Sequence, residues 1–163
     1  MNEKFIQKRL YSFWNKKGHI ITIPNYRFSY GYADLISITR KLYVHEFEIK
    51  CTVPDFKRDF EKLKHRFLGD KHRSSKYYNL EGKEKEFPNY FWYATPEGLV
   101  NDAIIPEYAG FLEIPDGAYF GINQSVKIIK KAPKLHKKSM CLDELKRLAI
   151  GFTARFWNNK NNG

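Results

Sequence analysis

Two short runs of strand-forming residues, 34–39 and 43–51, are separated only by Arg40, Lys41 and Leu42. So brief a connection joins antiparallel neighbours, and the two runs are expected to form a hairpin. Alternation along the second run puts Glu46, Glu48 and Lys50 on one face, with His45, Phe47, Ile49 and Cys51 on the other. With the turn centred on Lys41, Asp34 and Glu48 stand opposite each other, their Cβ atoms roughly 4.5–5.5 Å apart. Carboxylates so placed repel, and a divalent cation between them makes the arrangement favourable. Lys50 projects beside the pair, where an ammonium can orient a water or stabilise charge on a phosphoryl oxygen. Magnesium prefers oxygen ligands and keeps several waters. Asp34, Glu48 and the Ile49 carbonyl would leave it positions for water and a phosphate, and manganese would serve equally. The competing reading is that Glu46, Glu48 and Lys50 form the solvated face of a half-exposed strand. Against it stands Asp34, a poor strand former placed where the register meets Glu48.

The elements around this hairpin are expected to build one mixed sheet flanked by helices. Ile6, Leu10, Phe13 and Trp14 recur at helical spacing, and Gly18 ends that helix. A short strand over 19–23 stops at Pro24-Asn25, and an aromatic loop, Tyr26 to Tyr32, follows. After Pro54 a stripe of Phe56, Phe60, Leu63 and Phe67 predicts a second helix to about Gly69. Residues 70–86 are polar without period and read as a long loop. Phe91-Trp92-Tyr93 predicts a strand, and Thr95-Pro96 the start of a short helix through Asn101. Strands over 111–114 and 126–130 and a C-terminal helix complete the chain. Ser139 is the candidate cap of that last helix, whose stripe is Leu142, Leu145, Leu148, Ala149, Phe152 and Phe156. The 163 residues, with 13 phenylalanines, 11 tyrosines and 3 tryptophans, suffice for one core and form a single domain, 1–163.

Lysines and arginines number 29 against 18 acids, and the resulting +11 points to a polyanionic partner. No apolar run approaches the length of a membrane span, so nucleic acid is the expected partner, with DNA first and RNA open. One candidate phosphate-binding set lies on the second helix: Lys57, Arg58, Lys62 and Lys64. The other lies in residues 125–139, which hold six lysines and no acid; Lys130, Lys131, Lys134, Lys137 and Lys138 are nominated there. Tyr26, Phe28, Tyr30 and Tyr32 are available for stacking on unpaired bases. The start of the chain shows no secretory signal, which suits the cytoplasm. Cys51 and Cys141 are expected to be buried thiols rather than a disulfide or zinc site. Asp55 and Asp59 lie in the first turns of the second helix, where stabilising the helix dipole is at least as good an explanation as catalysis, and both are left out of the site.

Asp34 followed by Glu48-Ile49-Lys50 resembles the signature of the PD-(D/E)XK phosphodiesterases, the restriction-endonuclease-like nucleases. The resemblance implies an αβββαβ core over about residues 1–94, with a C-terminal elaboration over 95–163. It also implies catalytic roles for Asp34, Glu48 and Lys50, and metal binding by Asp34, Glu48 and Ile49. Asp55-Phe56, Asp59, and the segments 105–111 and 131–136 look like small phage and bacterial proteins of that superfamily, including an MmcB-type DNA-repair group. Residue 33 is Ala where the nominal motif has Pro. The implied activity is divalent-metal-dependent hydrolysis of DNA. The alternative is a catalytically inactive nucleic-acid-binding accessory protein of the same fold.

Overall fold

The computed structural model describes residues 1–28, 31–66, 76, 80, 88–117 and 126–161, with the side chains of 60–66 and 159–161 left aside. Asn2 accepts the Phe5 N–H on its Oδ1 at 2.9 Å, satisfying a donor that helix geometry leaves free, and α1 (Glu3–Lys16) begins there. The chain leaves the helix through Gly18, whose φ of +85° suits a residue without a Cβ. Three strands follow, β1 (His19–Phe28), β2 (Gly31–Thr39) and β3 (Val44–Ile49), then α2 (Val53–Arg66). Next come β4 (Tyr90–Pro96), a 3-10 turn at Asp102–Ile104, β5 (Ala109–Ile114), β6 (Lys127–Lys130) and α3 (Leu142–Asn161).

Among the described residues the strands form one mixed sheet in sequence order. β3, β4 and β5 are parallel, and the other neighbours antiparallel. Parallel neighbours need a crossover of a dozen residues or more; α2 lies within one and the 3-10 turn within the other. One face of the sheet carries Leu35, Phe47, Ile49, Trp92, Ala94 and Leu112, which pack under α1 around Trp14. The opposite face is covered in two parts. Phe56 of α2, with Leu80 and Leu135, packs on Phe91, Tyr93 and Phe111; Leu148 of α3 packs on Ile23, Ala33, Ile36 and Ile38. β3 therefore lies in the middle of the sheet with both faces buried.

Several expectations change. β1 runs through Pro24 instead of stopping there, because an edge strand tolerates a residue that cannot donate to the ladder. The expected aromatic loop is accordingly paired strand, with Tyr26 opposite Ala33 and Phe28 opposite Gly31; Ser29 and Tyr30 lie outside the described residues. Thr95 and Pro96 belong to β4, opposite Glu113 and Ile114, and Asn101 caps the following 3-10 turn. Helix α3 is capped at Cys141 rather than Ser139: Glu144 accepts the Cys141 N–H at 2.6 Å, half of a capping box. Its expected stripe is mostly in solvent, with Leu148 buried but Leu142, Phe152 and Phe156 exposed. Cys141 is exposed and Cys51 half-buried, and both are free thiols. Lys76 and Leu80 have helical backbone where a loop was expected; the remainder of 70–86 lies outside the described residues.

Candidate active site

The β2–β3 register pairs Leu35 with Phe47, Ile36 with Glu46, Ser37 with His45 and Ile38 with Val44, so the hairpin is centred on Lys41. Continued by one residue, that register sets Asp34 against Glu48. The crossing is tied by a hydrogen bond: Asp34 accepts the Ile49 N–H on Oδ2 at 2.7 Å. Because β3 is central, its charged face is not solvated. Glu46 is 0% exposed and Lys50 5%, which removes the half-exposed-strand explanation of these residues.

Lys50 donates to Glu48 Oε1 at 3.0 Å and to Asp59 Oδ2 at 2.7 Å. Asp59 therefore joins the cluster, correcting its exclusion from the site. A sign of this was present in the chain: Asp59 is three residues from Phe56 and four from Leu63, on the apolar stripe of α2, where an unpaired carboxylate is costly. Asp55 lies nearer the surface, its N–H donating to Thr52 Oγ1 at 3.3 Å. Lys76 enters from distant sequence. Its ammonium forms an ion pair with Glu46, meets Glu48 Oε2 at 3.1 Å and donates to the Tyr32 carbonyl at 3.0 Å. Its Nζ also stands 5.3 Å from the centre of the Phe91 ring. No periodicity or motif announces Lys76, because its role depends on tertiary packing.

The electrostatics separate the members. Burial, then the charge of Glu48, raises the Asp34 carboxyl to about 7, although the Ile49 N–H pulls the other way. Burial alone would lower Lys50, but Glu48 and Asp59 outweigh it and hold its pKa above the ordinary lysine value. The same balance, with Glu46 and Glu48 as the partners, raises Lys76. Both lysines are therefore cations at neutral pH. Among the described residues no three carboxylate, histidine or cysteine side chains converge as a ligand set. The donors that Asp34, Glu48 and the Ile49 carbonyl offer are all oxygens, and Glu48 already holds an ammonium on each carboxylate oxygen. Oxygen donors are of the kind a hard cation of the magnesium type takes, whereas the two ammonium groups on Glu48 oppose a further cation at those oxygens.

The nominated basic residues divide. Lys57 and Arg58 are exposed on α2, while the side chains of Lys62 and Lys64 lie outside the described residues. Lys131, Lys134, Lys137 and Lys138 are exposed, with Lys134 Nζ standing 3.4 Å from the Tyr43 ring centre. Lys130 is half-buried and donates to the Ile105 and Pro106 carbonyls at 3.0 and 2.8 Å. Leu135 N–H bonds to Asn89 O and Met140 N–H to Leu42 O, each at 2.9 Å, which fastens this segment beside the starts of β3 and β4. Glu48 is near the other end of β3, four residues from Val44 and so about 13 Å away at roughly 3.3 Å per residue. Among the described residues no helix is long and apolar enough to cross a membrane.

No family model and no curated protein matches the chain. A solved structure of a protein of unknown function from Silicibacter pomeroyi is similar, with a TM-score of 0.60 at 14% identity. The similarity covers 98% of this chain and 89% of that one, and at this identity it speaks to the fold alone.

Proposed function

We propose that this chain is a divalent-metal-dependent nuclease of the restriction-endonuclease-like class, hydrolysing phosphodiester bonds in DNA. The observation that carries the reading is the Asp34, Glu48 and Lys50 grouping on buried central strands. Ionised groups are expensive to bury, and a fold gains little from keeping them there, so such a cluster is a functional-site candidate. The order α1-β1-β2-β3-α2-β4 also follows the expected αβββαβ sequence of elements. Asp34, Glu48 and the Ile49 carbonyl would hold Mg²⁺ or Mn²⁺. When bound, such an ion supplies Lewis-acid polarisation of the phosphodiester and a more acidic water. Lys50, fixed by Glu48 and Asp59, offers a cation to the phosphoryl oxygens; being protonated, it orients water and stabilises charge rather than abstracting a proton. Lys57 and Arg58, on the same helix as Asp59, would contact phosphates. A cytoplasmic role in phage or bacterial DNA processing belongs to the proposal and rests on the motif resemblance.

A second reading, a catalytically inactive nucleic-acid-binding accessory protein, draws on one specific feature: two lysines already occupy both oxygens of Glu48. Labelled duplex, single-stranded and branched DNA, and RNA, incubated with protein and Mg²⁺, Mn²⁺ or EDTA, separate the two. The nuclease reading expects metal-dependent cleavage that EDTA and Glu48→Gln abolish. Binding without cleavage under every condition would favour the accessory protein, and absence of binding would reject both.

A further inference from the structure

We propose that Lys76 is a resident cation, its ammonium taking the place of a second metal ion so that the centre takes one divalent ion per chain. This inference rests on the metal-centre reading above and adds to it a count and a residue. One ammonium meets three oxygens, pairing with Glu46 and donating to Glu48 Oε2 and the Tyr32 carbonyl. Two carboxylates and a main-chain carbonyl are also the hard-oxygen donors that magnesium and manganese take. The position is enclosed, since the Lys76 side chain is 11% exposed and Glu46 is 0% exposed.

Charge balance gives the same answer. With Asp34 ionised, as metal binding requires, Asp34, Glu46, Glu48 and Asp59 carry a formal −4, which Lys50 and Lys76 reduce to −2, the charge that one divalent ion neutralises. Without Lys76 the formal charge is −3 and the Glu46–Glu48–Tyr32 oxygens are left without their cation. A second divalent ion then has both a donor set and an electrostatic reason to bind. Glu48 would bridge the two positions, as its two oxygens already bridge Lys50 and Lys76.

The test is Mn²⁺ binding to the full chain, counted from the loss of the free-ion electron paramagnetic resonance signal. The parent is expected to bind one Mn²⁺ per chain, Lys76→Met two, and Lys76→Met with Glu46→Gln one again. A Lys76→Met count that stays at one overturns the proposal while leaving the metal-centre reading intact, as does a parent that binds two. A parent that binds none while Lys76→Met binds one also overturns it, because the ammonium would then exclude the metal. No binding by either protein rejects the metal centre itself, and the proposal with it. A measurement on the parent alone covers the case in which Lys76→Met does not fold: acetylation of Lys76 by acetic anhydride, read by peptide mass spectrometry. Lys76 should stay protected with and without saturating Mn²⁺. A rise of threefold or more in its labelling on adding Mn²⁺ would show that the ion displaces the ammonium, and would overturn the proposal.

Discussion

Lys50 has two carboxylate partners and almost no exposure to water, so replacing it tests stability and chemistry at once. Lys50→Ala leaves Glu48 and the buried Asp59 without that cation, and breaking a buried pair this way costs about 3–5 kcal/mol. Adding Asp59→Asn to Lys50→Ala should recover much of the loss in urea unfolding, yet cleavage should remain absent in both variants. Recovered cleavage in the double variant would reject the role given to Lys50. A second residue-scale prediction concerns the other face of β3. His19 and His45 lie 4.6 Å apart, centre to centre, beside Trp14, and His45 Nδ1 accepts the Trp92 N–H at 3.1 Å. Burial, with Lys17 adding to it, lowers His19 to about 4; burial, then His19, lowers His45 to about 3. The unfolded chain binds these protons at a pH where the native protein does not, so the stabilisation is complete above about 6.5. It is lost as the pH falls from there toward 4 and then 3, at roughly 1.4 kcal/mol per unit for each histidine. Urea titrations at pH 7.5 and 5 should show a shallower dependence in His45→Gln than in the parent; equal slopes would exclude this origin.

The elements differ in how far local sequence specifies them. The register of the β2–β3 hairpin was legible to the residue, because a short connection and strict alternation leave one pairing; the strand ends were not, since β2 begins at Gly31 rather than Asp34 and β3 spans Val44–Ile49, leaving Lys50 just beyond it. α1 and the body of α2 were legible from period alone. What was not legible depends on neighbours. Whether Pro24 ends a strand is decided by β1 having a free edge, and whether Glu46 meets water is decided by α2 and Lys76 covering β3. Asp59 was readable only by treating its place on the stripe of α2 as an anomaly rather than a dipole effect. α3 misleads in the opposite sense: its period is right, but the sheet beneath it receives little beyond Leu148. Close packing between elements also sets a prediction at Gly110 of β5. A Cβ there would press on the Trp92 ring and come within 2.6 Å of Ala132 N. Gly110→Ala should destabilise by about 1–3 kcal/mol, the range for overpacking, as read from the urea midpoint; an unchanged midpoint would mean that segment 131–132 moves aside freely.

Across the whole molecule, the exposed lysines of 131–138 and the Asp34–Glu48–Lys50 cluster lie toward opposite ends of β3. Neutralising Lys131, Lys134, Lys137 and Lys138 to Gln should therefore weaken DNA binding while leaving turnover at saturating substrate close to the parent value. For every phosphate that is no longer neutralised, the slope of log affinity against log salt should flatten by about 0.9 on duplex and about 0.7 on single strands. An unchanged salt slope would assign these lysines to solubility alone. The two margins of the sheet bear on a different property, self-association. An unpaired strand margin is a template for another chain, and proteins blunt it with proline, charge or cover. β6 is four residues long with a lysine at each end. β1 carries Pro24 and the left-handed Asn25, at φ +51°, and Arg155 of α3 donates to the Pro24 and Asn25 carbonyls at 3.1 and 2.6 Å. Arg155 thus seals the margin that proline alone leaves half open, and Arg155→Ala should bring concentration-dependent oligomers, visible by light scattering, before it costs the protein its fold.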